Sequence, residues 1–175
     1  MKGVLFLHLR SFLEQVHPRA RWDDIMCECG IAHMFAAGWD YPDRMMFCVA
    51  DAVCRTERLE RKDFWYRFGT HSMREFRKNY HWYFDQNPDA RAFLLSIDAI
   101  HADAVKDIRG ARPPRFSSHL SDDRKELVID YRSDREMVDY LRGALVGVLD
   151  IYGEAAEVEL TRLEAGGATF RVRFT

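Results

Sequence analysis

No charge of one sign dominates this chain. Its 26 basic and 28 acidic residues leave a formal net charge of −2, with no long run of either sign. Nucleic-acid binders carry a basic face or stripe, so nucleic acid is not expected as a partner. No apolar run is long enough to span a bilayer. The opening Met1-Lys2-Gly3-Val4-Leu5-Phe6-Leu7 is interrupted by His8 and Arg10, and no small-residue cleavage site follows it, so it does not read as a secretory leader. A cytoplasmic protein without membrane contact is the expectation. Cysteine is sparse: four residues, at 27, 29, 48 and 54. Cys27-Glu28-Cys29, with His33 nearby, lacks the Cys-x-x-Cys spacing and the second pair of a structural zinc site. Free thiols are expected in a reducing compartment. Nucleophile elbow, phosphate loop and metalloprotease motif are all missing, so the chain does not read as an enzyme. There is no internal repeat and no low-complexity segment.

What is present is a soluble globular composition. Of 175 residues, 47% are apolar and 31% charged, which fits one domain with a sizeable core. Aromatics make up 13%, including 12 Phe; these serve a core, and they would equally wall a flat ligand.

Apolar spacing predicts helices first. One covers 2–17, ended by Pro18; a second runs from about residue 18 to Cys29, stopped by Gly30. Residues 31–38 read as a third. Pro42 opens another, carrying Met45, Met46, Val49, Ala50 and Val53 inward. The charged stretch 55–62 reads as a solvated end. Residues 62–80 are helical, with Gly69 as a break. Asn87-Pro88 restarts the chain into a long helix to Ile108, whose stripe holds Phe93, Leu94, Ile97, Ile100, Ala104 and Ile108, with His101 on its edge. Gly110 and Pro113-Pro114 end it. Strand character appears only later, over 126–131, then in alternation over 157–163 and 169–174 about a Gly166-Gly167 turn. Ser133-Asp134-Arg135-Glu136 has the pattern of a capping box, predicting a helix from there to Tyr152. The fold class is therefore α+β: a mostly helical N-terminal part, then a C-terminal part with a small antiparallel sheet.

Seven histidines are present, at 8, 17, 33, 71, 81, 101 and 119. A lone helical histidine is usually structural, but His101 has telling company. A stiff Pro113-Pro114 turn and Phe116 follow it, and about thirty residues on comes Tyr131-x-Ser133-x-Arg135. In extended backbone those three side chains point one way. Two hydroxyls and a guanidinium then converge on one spot, which suits carboxylates. Ser133 reads equally as an N-cap and Arg135 as a surface charge. Taken together, the parts describe a planar, iron-bearing dianion: His101 at the metal, Tyr131, Ser133 and Arg135 at its carboxylates. Tyr140, in line with Met137, Ala144 and Val148 on the next helix, reads as a core aromatic or as a donor to a ligand.

These residues, with Met1-Lys2-Gly3, Trp65 and Gly69 ahead of Phe76, Gly110 before Pro113-Pro114-Arg115-Phe116, and Gly143 and Gly147, resemble the H-NOX domain (haem–nitric oxide/oxygen binding). That family includes the haem sensor domain of soluble guanylate cyclase and bacterial stand-alone relatives. The resemblance covers essentially the whole chain. It implies a single domain over 1–175, with a helical distal subdomain over about 1–60, a proximal subdomain over about 61–175, and haem b buried between them. It implies His101 as axial ligand, Tyr131, Ser133 and Arg135 on the propionates, and Leu5, Ile97, Pro114, Phe116 and Ala144 in the haem pocket, with Leu5 and Pro114 bending the macrocycle. Tyr140 matches the distal tyrosine of oxygen-holding members. Leu9 and Ser72 match its supporting positions, and Phe76 completes the gas pocket. The ligands implied are nitric oxide and carbon monoxide, with oxygen as a further candidate. Nitric oxide would release His101, the two subdomains would shift, and a separate histidine kinase or cyclic-di-GMP enzyme would read the change. The gas must then favour one conformation over the other, because equal affinity shifts nothing. Two other classes compete: a haem-free protein- or lipid-binding module of the same fold, and a hydrolase pairing His101 with Asp98 or Asp103.

Overall fold

The computed structural model describes residues 1–32, 34–106 and 112–175. The predicted stripe end Ile108, the stop Gly110 and His33 lie outside those residues. Helix α1 (Gly3–Val16) buries Phe6, Leu9, Phe12 and Leu13 at helical spacing. Helix α2 (Trp22–Glu28) is followed by Gly30 at φ 62. The predicted third helix does not form: the described residues of 31–38 are irregular. A physical demand on this segment explains it. The first N–H groups of α1 have no intrahelical acceptor. Those of Gly3 and Val4 donate instead to the carbonyls of Trp39 (2.8 Å) and Ala37 (3.0 Å). The irregular path of the loop brings these carbonyls to the tip of α1. Phe35 from the same loop stacks on Phe6 at 4.1 Å.

Helix α3 (Asp43–Glu57) buries Met46, Val49, Ala50 and Val53, and α4 (Arg61–Asn79) follows. Gly69 does not break α4. It is where α4 touches the last helix, since a Cβ there would collide with the backbone carbonyl of Tyr140. A short helix α5 (His81–Asp85), unforeseen in the sequence, precedes α6 (Ala90–Val105). Asp89 caps α6 by accepting from the Ala92 N–H at 2.7 Å.

The sheet holds β1 (Arg115–Leu120), β2 (Glu126–Arg132), β3 (Ala156–Glu164) and β4 (Gly167–Phe174), all antiparallel in the order β1-β2-β4-β3. Strand β1 was also unforeseen. Helix α7 (Val138–Tyr152) starts four residues later than the capping box predicts. Ser133 is not an N-cap: its Oγ accepts from the Arg135 N–H at 3.2 Å, and Glu136, at φ 49, accepts from the Gly166 N–H instead of closing the box. Two cores result. One gathers Phe6, Phe12, Met46 and Phe64 of α1, α3 and α4; the other gathers Leu94, Leu127, Phe170 and Leu145 of α6, the sheet and α7. Among the described residues, no helix is long and apolar enough to cross a membrane.

Candidate functional site

A cavity of about 300 Å³ lies where the two cores meet. Its walls take Leu5 from α1, Phe76 from α4, Ile97 and His101 from α6, Pro114 and Phe116 from the β1 side, and Tyr140 and Ala144 from α7. Its polar lining includes Tyr131, Ser133, Arg135, Lys2, Asp40 and Arg112. Residues far apart in sequence are thereby brought together. Leu9 and Ser72 are not in the wall; both are fully buried outside it.

His101 owes its pose to its own helix. The ring Nδ1–H donates to the Ile97 carbonyl one turn back, at 2.8 Å. A carbonyl can only accept, so this bond assigns the proton to Nδ1 and leaves Nε2 with a lone pair. Among the described residues Nε2 has no hydrogen-bond partner. Burial pushes the imidazole below its ordinary value, opposed by the Ile97 bond and by Asp98. The ring is therefore neutral at neutral pH, the form that ligates a metal. Phe116 packs 5.1 Å from it and 5.5 Å from Tyr131.

Neither carboxylate considered for a hydrolase bonds to His101. Asp98 accepts from the Phe116 N–H at 2.9 Å and pairs with Arg115 at 3.3 Å. Asp103 accepts from the Tyr83 hydroxyl at 2.7 Å. Asp98, three residues before His101, was weighed in the sequence only as a hydrolase partner, and its bond to the start of β1 was not foreseen. Its signal was only that spacing, which any surface acid shares.

Tyr131 is buried at the end of β2. Burial pushes its phenol up, partly offset by Ser133 and the Met137 backbone. The Arg135 Nη1 donates to the Arg112 carbonyl at 2.8 Å, and its Nε lies 3.0 Å from Asp43 of α3. That second contact is an ion pair without aligned hydrogen-bond geometry. Asp43 also meets the Met1 ammonium at 2.6 Å. Burial alone would raise the Asp43 carboxyl; the hydrogen bond from the ammonium and the positive charge of the Arg135 guanidinium outweigh it and hold the group below the usual range.

Tyr140 packs 5.4 Å from Phe68, and burial pushes its phenol well up, so it stays a neutral donor. Ser72 softens that push, although its Oγ makes no hydrogen bond of ordinary geometry. The cysteines are free thiols. Burial and a contact with Cys48 push Cys29 up to about 12. No cluster of three or more metal-ligating side chains occurs among the described residues.

A protein-family model described as haem-NO-binding matches residues 2–160. The chain belongs to the haem-NO-binding family. Solved H-NOX structures share its fold. A Cs H-NOX mutant with an unnatural amino acid at site 5 is 22% identical at TM-score 0.91, covering 100% of this chain and 97% of that one. An oxygen-binding H-NOX domain related to soluble guanylate cyclases, solved as its oxygen complex, is 22% identical at TM-score 0.89, with 100% and 95% covered. An H-NOX protein from S. oneidensis in the Fe(II)NO state is 16% identical at TM-score 0.90, with 100% and 99% covered. No curated protein sequence matches the chain. The H-NOX family is one of haem-binding sensor domains rather than catalysts, and the α+β expectation holds.

Proposed function

We propose that this H-NOX domain is a cytoplasmic haem-based sensor of diatomic gas. The observation that carries the reading is His101: a neutral imidazole, its Nδ1–H fixed on Ile97, set in the wall of an apolar cavity whose polar residues include Tyr131, Ser133 and Arg135. Those residues fit haem b, which needs one nitrogen ligand, apolar faces and donors for two carboxylates. When bound, the haem supplies an iron centre that takes nitric oxide, carbon monoxide and, as a further candidate, oxygen.

The chain's own residues do the rest. His101 offers Nε2 as axial ligand. Arg135 and the Tyr131 and Ser133 hydroxyls hold the carboxylates. Leu5, Ile97, Pro114, Phe116 and Ala144 exclude water from the faces. Tyr140 and Phe76 border the gas pocket, with Leu9 and Ser72 packed outside it. Asp98 carries displacement of α6 to β1, and Asp43 ties Arg135 to the N-terminal part. A distal part up to about residue 60 and a proximal part beyond it shift against each other, and a separate histidine kinase or cyclic-di-GMP enzyme reads the shift.

The test is the absorption spectrum of the anaerobically reduced protein, before and after nitric oxide. A Soret band that moves to shorter wavelength is expected. His101→Ala should lose haem and regain it with added imidazole. Colourless protein from haem-replete cells would instead leave the haem-free protein- or lipid-binding module.

A further inference from the structure

His8 is 2% exposed, and neither ring nitrogen has a hydrogen-bond partner. A buried imidazole must present one N–H and one lone pair, so orphaning both sites costs free energy, and such groups ordinarily answer to something. Its place in the fold indicates what. On α1 it follows Leu5 by three residues and Val4 by four, and both of those line the cavity; at that spacing it shares their face, one turn further along. Its ring meets Phe76 edge-on, with centroids 4.5 Å apart at 83°. Phe76 is cavity wall, and His8 is not.

The charged and titratable groups facing His8 come from α4: Glu75, His71 and Lys78. Glu75 is held by Lys78 at 2.7 Å, and His71 meets Ser11 at 3.3 Å. None of them pairs with His8. Burial pushes the His8 imidazole down to about 4, so the ring is neutral at neutral pH.

We propose that His8 is a latent polar contact of the cavity, screened by Phe76, whose N–H meets a diatomic ligand when the Phe76 ring turns aside. This rests on the haem reading above and adds a second donor, on α1, to the Tyr140 hydroxyl on α7. Phe76 then sets how much of that donor the ligand feels, so the pair tunes which gas the cavity retains.

The test uses reduced, haem-loaded protein with carbon monoxide as probe, comparing the parent, His8→Leu, Phe76→Ala and the double variant. Two quantities are read: the C–O stretching frequency, which falls when a donor points at the ligand, and the rate of carbon monoxide release. Phe76→Ala should lower the stretch and slow release by about two- to tenfold, the worth of one hydrogen bond. Adding His8→Leu should abolish both effects. Equal effects of Phe76→Ala with and without His8 would overturn the proposal, because a packing role moves neither reading through the other residue. A parent with no Soret band would remove the haem reading and this one with it; a normal Soret with additive effects removes this one alone.

Discussion

Burial holds four imidazoles below their ordinary value: His8, at about 4, and His17, His71 and His101. In the unfolded chain these groups take protons near the ordinary value of about 6.5. Between there and about pH 4, the unfolded state therefore binds more protons than the native one. Stability is full above about pH 6.5 and falls as pH drops, by roughly 3 kcal/mol for His8 alone. Urea midpoints should decline from about pH 7 to about pH 5, and His8→Leu should flatten the curve; an unchanged slope would mean that His8 titrates as it does in water. Single residues of the site were partly legible. His101, Tyr131, Ser133 and Arg135 could be named because their chemistry is unusual in combination. Asp43, the tie of Asp98 to β1 and the burial of His8 could not, since an acid on a helix looks like any other until the partner strand or loop is in place.

Helices α4 and α7 cross so closely that each needs a glycine. A Cβ at Gly69 would collide with the Tyr140 carbonyl, and one at Gly143 with the Tyr66 carbonyl. Thr70 Oγ1 adds a hydrogen bond to the Gly143 carbonyl at 3.0 Å. Backbone cannot step aside as a side chain would, so Gly143→Val should cost about 3 kcal/mol or more, measured by chemical denaturation. Longer helices were legible because their apolar stripes repeat over several turns. Helix α5 is too short to show a period, and β1 alternates only weakly. Phe116, Ser118 and Leu120 face Tyr131, Ile129 and Leu127, so β1 exists through its pairing with β2. The capping box failed for a similar reason: Glu136 serves Gly166 across the chain.

At the scale of the molecule, α4 joins the halves. Phe64 and Phe68 belong to the first core, while Met73 and Phe76 pack on the second. Beside this axle, the Asp43–Arg135 pair is a second tie. Both partners are partly exposed, so a double-mutant cycle with Asp43→Asn and Arg135→Gln should give a coupling of about 1 kcal/mol or less in stability. Its larger expected effect is on haem retention, read as faster transfer of haem to an acceptor protein from Arg135→Gln. The order of helices first and sheet afterwards was legible from the sequence. That one unbroken helix, α4, packs into both cores was not, because an apolar stripe does not say what covers it.

The loop that supplies carbonyls to Gly3 and Val4 also carries Trp39, 72% exposed. With its own carbonyl holding the Gly3 N–H, this indole is a built-in optical pointer fixed to the tip of α1. Any tilt of that helix must swing the indole through water, so its emission, isolated by subtracting the spectrum of Trp39→Phe, should report movement beside the cavity without an added label.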